Sequence, residues 1–369
     1  MPESILITGG AGFIGSHLAD LLLADGHRVR AFDNLTAQVH GGAGRPAYLA
    51  DDVELVVGDI RDPDAVGQAL AGIDSVVHLA ARVGVGQSMY EVANYVAENT
   101  SGTAVLLEAL LRRPPRKLVL ASSMSVYGEG RYRAGEREVE AQPRSREQLE
   151  RDEWEPRGPD GEELVPVPTP ERKRPDLASV YALTKFDQER LCLINGAAYG
   201  IPVVALRLFN VYGTRQALSN PYTGVLAIFA SRLLNGNRPL VFEDGLQRRD
   251  FVAVEDVARA FRLALDRNGA DGSVVNVGSG HSVTVRELAE QLAATLDSPL
   301  QPELSGKYRV GDIRHCFADI SLARETLGYE PQVELADGMR ELVAWLEGQV
   351  ATDNVDAATQ ELATRGLTL

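Results

Sequence analysis

Two periodicities alternate along the first half of this chain. Strand-like apolar runs fall at Ser4–Thr8, Arg28–Asp33, Glu54–Gly58, Ser75–Leu79, Lys117–Ser122 and Pro202–Asn210. Helical spacing falls between them, near Gly12–Asp25, Pro63–Leu70, Asn94–Leu111 and Ser179–Tyr199. Strands alternating with helices predict βαβ units, and hence an α/β fold with a parallel sheet covered on both faces. Residues 131–175 break the rhythm with Arg, Glu, Pro and Gly. They read as a surface insertion, either a lid or a disordered linker; Trp154 and the run Leu164–Val167 favour partial packing. Gln349–Leu369 reads as a polar, weakly helical tail, and no internal repeat is visible.

Composition narrows the function classes. With 369 residues, 44% of them hydrophobic, the chain can bury a large core and form more than one domain. Its apolar runs stay below the roughly 18 residues that span a bilayer, so no membrane partner is expected. Met1-Pro2-Glu3-Ser4 carries no basic n-region, and the following apolar stretch is not expected to be a signal peptide. Cys192 and Cys316 form neither a disulfide framework nor a zinc spacing; no metal is expected, and a reducing cytoplasm is. The net charge of −15 argues against nucleic acid, whose phosphates demand a basic face. An anionic ligand would therefore rest on a few placed arginines and helix N-termini.

One candidate for such a ligand site stands at the first strand–helix junction. Thr8-Gly9-Gly10-Ala11-Gly12-Phe13-Ile14-Gly15 places glycines at 9, 12 and 15. Glycines so spaced permit a tight turn, close approach to a pyrophosphate and close helix–strand packing. Asp33 closes the second predicted strand, where a carboxylate can bond the ribose hydroxyls of a dinucleotide and repel a 2′-phosphate. Asn34 and Leu35 follow rather than an arginine, which favours NAD over NADP. Asp59-Ile60 closes the third strand; Asp59 is either an adenine contact or a turn residue.

A second constellation suggests proton transfer. Tyr181 and Lys185 are four residues apart on a predicted helix and share a face. A cation beside the phenol is expected to lower its pKa and make a general acid–base group. Ser123, in the run Ala121-Ser122-Ser123-Met124-Ser125-Val126-Tyr127-Gly128, ends a predicted buried strand. At the carboxyl end of a parallel strand it can donate to a substrate oxygen. A surface tyrosine and lysine would have no such companion in order along the chain.

Taken together, these motifs resemble the extended short-chain dehydrogenase/reductases, and within them the NDP-sugar epimerase/dehydratase family. The resemblance runs over about Ser4–Leu346. It also includes Phe32–Leu35, Gly58–Asp62, His78–Ala81, Leu206–Gly213, Arg248–Val257 and Arg309–Asp319. It implies a doubly wound Rossmann-type NAD domain over 1–212, carrying the insertion 131–175. A smaller C-terminal substrate-binding domain would occupy most of 213–348, part of it returning to the first domain, with 349–369 as tail. It implies Ser123, Tyr181 and Lys185 as the catalytic triad. Gly9, Gly12, Phe13, Ile14, Gly15, Asp33, Asn34, Asp59, Ile60, Leu79, Ala80, Ala81, Asn99, Ser122, Tyr181 and Lys185 would hold NAD. Val83, Ser123, Asn210, Arg249, Arg309 and Asp312 would hold the nucleotide-diphosphate sugar. Arginine suits a diphosphate because its planar fork meets two oxygens at once, although Arg249 and Arg309 could instead form surface salt bridges. A homodimer is implied through the helices around Asn99–Leu111 and Ser179–Tyr199.

The reaction can be narrowed further. Dehydratases of this family carry an Asp-Glu pair just after the catalytic Ser or Thr, where this chain has Met124 and Ser125. Without an acid to move protons at C5 and C6, elimination of water is disfavoured. No cysteine stands where a sugar alcohol would be oxidised to an acid. An isomerase that inverts C4 through a transient 4-keto sugar needs only one acid–base group and a held NAD. The segment from Arg309 to Pro331, with the long insertion, is similar to the dTDP-L-rhamnose 4-epimerase group, though the cysteine pairs of that group's insertion are missing from Trp154–Gly161. UDP-glucose/UDP-galactose 4-epimerase is the alternative. An NADPH-dependent reductase is opposed by Asp33, and a non-catalytic NAD sensor by the intact proton relay.

Overall fold

The computed structural model describes residues 2–42, 44–222, 224–309, 311–349 and 352–368. Its centre is a seven-stranded sheet of β1 (Ser4–Thr8), β2 (Arg28–Asp33), β3 (Glu54–Val57), β4 (Ser75–His78), β5 (Lys117–Ser123), β6 (Val203–Leu208) and β7 (Ser273–Val277). The order is β7-β6-β5-β4-β1-β2-β3, and each neighbouring pair is parallel. The winding direction reverses between β1 and β4. Loops at the carboxyl ends of those two strands diverge there and leave a crevice.

Helices α1 (Phe13–Ala24), α2 (Pro63–Ala69), α3 (Gly102–Arg112) and α4 (Val180–Tyr199) connect the early strands; α5 (Val225–Leu234), α6 (Val254–Asp266), α7 (Val285–Thr295), α8 (Leu335–Leu346) and α9 (Val355–Thr364) follow. One face of the sheet packs Leu18 and Leu22 of α1 with Val257 and Phe261 of α6. The other face packs Val66 of α2, Leu106 and Leu110 of α3 and Cys192 of α4. A separate core joins α5, α7 and α8 through Leu226, Phe229, Leu288, Leu292, Met339 and Leu342. Two apolar cores joined through one chain give a doubly wound α/β body with a smaller unit beside it. Among the described residues no helix is long and apolar enough to cross a membrane.

The first five predicted strands differ from the observed ones by at most one residue at an end. The sixth breaks at Phe209; Asn210–Tyr212 leaves the main sheet and pairs in parallel with Phe251–Ala253. β7 was not anticipated, because a five-residue apolar run has no period that separates strand from helix. The helix expected over Asn94–Leu111 contains a π turn at Val96–Ser101 before α3 begins. Gly102 packs so closely that a methyl there would lie 2.5 Å from Ile60 Cγ2, so the helix start is pressed against the loop after β3.

The insertion is neither a linker nor a free lid. Arg131–Ala134 pairs antiparallel with Arg137–Val139 and with Val165–Val167. Trp154 lies against Tyr308, with ring centroids 6.5 Å apart. Deeper, the fully buried Arg314 guanidinium meets Glu155 of the insertion at 2.6 Å, Glu243 at 2.8 Å and Asp244 at 2.7 Å. Arg144 adds a second cation, 2.8 Å from Glu243, and donates to the Asp312 carbonyl. Such a network leaves few buried charges unpaired; removing one partner strands the others at a cost of about 3–5 kcal/mol.

A polar network under the crevice joins β1, β4, α3 and α4. His78 Nδ1 lies 2.7 Å from Thr8 Oγ1, and its Nε2 2.9 Å from Thr103 Oγ1. Gln188 of α4 donates to Thr103 Oγ1 at 2.8 Å. Burial, and secondarily the charge of Lys185, push the His78 imidazole down to about 3 from its ordinary 6.5. The folded chain therefore holds His78 neutral where the unfolded chain protonates it. That stability is present above pH 6.5 and is lost as the pH falls toward 3. Wild type is expected to lose about 2 kcal/mol relative to His78→Gln between pH 7 and pH 5. Paired denaturant titrations at the two pH values read this difference, and a constant gap would remove His78 from the acid response.

Candidate active site

The crevice is a cavity of about 630 Å³. Every site residue expected from the sequence lines it except Asp59 and Asn99. At one end the chain leaves β1 through Gly9, which has φ +71° and approaches the next segment so closely that a methyl would lie 2.9 Å from the Ala80 nitrogen. Gly15 is tighter still: a methyl there would lie 2.5 Å from the Gly9 carbonyl oxygen. α1 begins at Gly12 with no side-chain cap, so its first N–H groups face the cavity. Asp33 is held in place by the Ala11 N–H at 3.1 Å and the Leu35 N–H at 2.9 Å. Uncapped N–H groups, a backbone cradle that a side chain would fill and an oriented carboxylate fit the pyrophosphate and ribose of NAD.

Asp59 and Asn99 have other partners. Arg61 grips the Asp59 carboxylate with contacts of 2.8 and 2.5 Å, and this hydrogen bonding holds its pKa below the usual range. Asn99 is fully buried in the π turn. It accepts from the Arg82 N–H at 2.7 Å and donates to the Arg82 carbonyl at 3.0 Å and Thr184 Oγ1 at 3.0 Å. It thereby shapes the Ala80–Val83 segment from behind. Ser122 reaches the cavity, but its hydroxyl donates to Glu189 Oε2 at 2.8 Å. Glu189 also pairs with buried Arg207 at 2.7 Å, tying β5, β6 and α4 together.

Adjacent strand residues face opposite ways, so Ser123 turns from Glu189 toward Tyr181. Ser179 caps α4 by accepting from the Ala182 N–H, and the Tyr181 N–H donates to Ser88 Oγ at 3.0 Å. These bonds fix the start of the helix beside the Ser123 hydroxyl, which hydrogen-bonds the phenol. The electrostatics differ from the expectation. Burial raises the Tyr181 pKa above its ordinary value, and the Ser123 bond offsets only part of that. Lys185 is itself buried and pushed down to about 8, and its ammonium donates to Gln188 Oε1 at 2.6 Å. Desolvation is therefore the larger influence on the phenol, while the Lys185 ammonium is turned toward Gln188 and the network under the crevice.

The other end of the cavity carries the arginines. Arg249 donates to the Arg314 carbonyl at 2.9 Å and to the Ile313 carbonyl. Arg309 pairs with Asp312 at 3.0 Å and lies over the Phe242 ring, 4.6 Å from its centroid. The ion network of Arg314 and Arg144 therefore holds the backbone on which the Arg249 guanidinium rests. Among the described residues, three lining amide oxygens, Asn210 Oδ1, Gln216 Oε1 and Gln247 Oε1, are buried without a hydrogen-bond partner, as acceptors awaiting a ligand would be. Gln216 and Gln247 were missed in the sequence. Gln247 stands next to the Arg248-Arg249 motif, which is a usable signal; Gln216 lies in an irregular segment that offers none. The tail was missed as well: Val355, Ala358, Thr359, Leu362 and Leu367 also line the cavity.

A dinucleotide cradle and a buried Ser–Tyr–Lys group at the switch of a doubly wound sheet define an NAD-dependent enzyme of the extended short-chain dehydrogenase/reductase type. Residues 5–278 match the model of the NAD dependent epimerase/dehydratase family, and the chain belongs to that family. It is 36% identical to a dTDP-L-rhamnose 4-epimerase of Burkholderia thailandensis, over 95% of this chain and 97% of that one. Its fold matches a UDP-glucose 4-epimerase of Thermotoga maritima solved with UDP-glucose, with a TM-score of 0.77 and 31% identity over 93% of this chain and 98% of that one. It also matches a UDP-glucose 4-epimerase of Thermus thermophilus solved with NAD, with a TM-score of 0.75 and 31% identity over 94% and 100% of the two chains.

Replacing Tyr181 with Phe removes the phenol oxygen and leaves the NAD cradle intact. Turnover is expected to fall by about 10²–10⁴-fold, with NAD still copurifying. Steady-state rates and cofactor content of Tyr181→Phe test this together; near-normal kcat would take Tyr181 out of the chemistry.

Proposed function

We propose that this enzyme inverts C4 of a nucleotide-diphosphate 6-deoxyhexose, with dTDP-L-rhamnose as substrate. Bound NAD supplies a hydride acceptor that later returns the hydride. The chain's own residues do the rest. Tyr181 Oη, once ionised in the NAD-bound enzyme, would take the proton from the C4 hydroxyl and give it back after the ring has turned; the positive charges of Lys185 and of bound NAD favour that ionised form against the burial that opposes it. Ser123 Oγ holds the C4 oxygen beside it. Arg249 and Arg309 hold the diphosphate, and the free amide oxygens of Asn210, Gln216 and Gln247 accept from donor groups of the nucleotide, so that binding energy sits away from the sugar and leaves it mobile. Met124 and Ser125 offer no carboxyl group for loss of water. The lining carboxylates Glu98 and Asp312 are engaged by Arg82 and Arg309.

One observation supports the choice of sugar: apolar side chains make up much of the lining of the cavity that holds Tyr181. Val83, Val85, Met124 and Phe209 line it. Gln87 and Ser88 are occupied elsewhere, Gln87 by Gln38 and Glu91, and Ser88 by the Val85 carbonyl. A C5 methyl suits such a wall. A C6 hydroxyl buried there without a partner costs roughly 1–3 kcal/mol. A UDP-hexose is the second reading, favoured by the solved relatives. Efficiency on dTDP-L-rhamnose is expected to exceed that on UDP-glucose by about tenfold or more. Values of kcat/KM on both, with products read by NMR, decide it; equal or higher efficiency on UDP-glucose reverses the assignment.

The reading includes a homodimer. Val92 and Val96, four residues apart, and Leu183 and Ile194 on neighbouring α4 are 39–56% exposed. Such a stripe is suited to burial against a second copy. Two free, buried cysteines suit a reducing cytoplasm. Light scattering at micromolar concentration is expected to give twice the mass of the chain, and a monomer counts against the stripe as an interface.

A further inference from the structure

The C-terminal segment after α8 runs back across the substrate cavity. Its start is pinned to the smaller unit. The Thr352 N–H donates to Ser219 Oγ at 3.0 Å, and Asn354 Nδ2 donates to the Ser219 carbonyl at 2.8 Å. Arg232 of α5 meets Asp356 at 2.7 Å and buried Asp353 at 3.6 Å. α9 then presents Val355, Ala358, Thr359 and Leu362 to the cavity, the i, i+3, i+4, i+7 spacing of one helix face. Leu362 is only 6% exposed. A methyl on Gly86 would lie 3.3 Å from both of its δ-carbons. Gly86 is two residues before Ser88, whose hydroxyl receives the Tyr181 N–H. Leu362 therefore stands over the loop that positions the catalytic phenol, at the sugar end. Past the helix, Arg365 lies 4.3 Å over the Tyr90 ring, and Thr368 pairs with Arg309 as an antiparallel bridge. The tail thus touches both the sugar loop and an arginine at the diphosphate end.

We infer that the C-terminal segment is a wall of the substrate site, and that Leu362 is a specificity-determining residue that selects a sugar carrying a methyl rather than a hydroxymethyl group at C5. The inference rests on the 6-deoxyhexose reading. It adds that the selecting surface comes from the tail as well as from the strand-end loops. A hydroxymethyl group against Leu362, Ala358 and Val85 would find no side-chain hydrogen-bonding atom on them; the hydroxyl on this helix face is that of Thr359. Because the tail lines the cavity, substrate binding is expected to slow its backbone exchange.

The test uses the full-length holoenzyme and two readouts. The first is the ratio of kcat/KM on dTDP-L-rhamnose to that on dTDP-glucose, in wild type and in Leu362→Gln. Glutamine is similar in length and offers a partner to a C6 hydroxyl, so the ratio is expected to narrow by about tenfold, with NAD content unchanged. An unchanged ratio in a variant that retains its NAD overturns the role of Leu362. The second readout, which does not depend on any variant folding, is hydrogen exchange of wild-type residues 355–364 with and without saturating dTDP-L-rhamnose or dTDP-glucose. Slower exchange with nucleotide sugar is expected, and exchange indifferent to both overturns the tail as part of the site. A wild-type enzyme that prefers dTDP-glucose would sink the 6-deoxyhexose reading instead. Leu362 would lose its selecting role with it, while protection of 355–364 would still place the tail in the site.

Discussion

Close backbone approach at the carboxyl end of β1 is the constraint on which this molecule depends. The Gly9 carbonyl sits where a side chain on Gly15 would collide with it, and Gly9 itself nearly touches the segment after β4. Only with both positions bare can α1 start against the sheet with its N–H groups open and the β4 loop pass alongside. The cavity, the orientation of Asp33 and the placement of the Ala80–Val83 segment all follow from that closeness. Because the sheet reverses its winding at the same place, the opening left for a ligand lies beside this close packing.

From there two buried polar systems carry the geometry outward. Beneath the crevice, His78, Thr8, Thr103 and Gln188 join strands to helices, and Gln188 also takes up the Lys185 ammonium, so the helix that carries Tyr181 and Lys185 is positioned by the same bonds. Beyond the crevice, Arg314 and Arg144 gather the carboxylates of Glu155 and Glu243 and hold the carbonyls on which Arg249 rests. The insertion thus acts from behind the cavity: Arg144 donates to the carbonyl of lining Asp312, and Glu155 pairs with Arg314 two residues on. Low dielectric makes these pairings expensive to break, and so they resist rearrangement.

Several parts of this architecture were legible from residue order alone. The strand and helix periods along residues 4–210 follow from local burial, and burial on both faces of a sheet leaves a mark on each strand. Gly9 and Gly15 are legible because a side chain at either would collide with backbone, whereas a methyl on Gly12 would lie a tighter-than-usual 3.2 Å from the Gly9 carbonyl. Tyr181 and Lys185 are legible because a helix converts a spacing of four into a shared face. Asp59 and Asn99 show the limit: their positions in the chain were the expected ones, but Arg61 and the Arg82 backbone bind their side chains, and sequence order carries no record of which partner wins.

What the sequence by itself determined is the set of local signals: α/β alternation, a nucleotide-binding turn, an acid–base pair and a serine at a strand end. What only the tertiary structure decided is everything set by contacts between distant segments. β7 finds its place beside β6 across more than sixty residues of intervening chain. Burial pushes the Tyr181 pKa up, where the four-residue spacing to Lys185 predicted a fall. The insertion becomes a support through one buried arginine, and the polar tail becomes part of the cavity wall through Leu362 and Gly86. The physical reason is common to all four: a short period in the chain encodes which face of an element is buried, whereas solvent exclusion and long-range pairing depend on what the fold brings against that face.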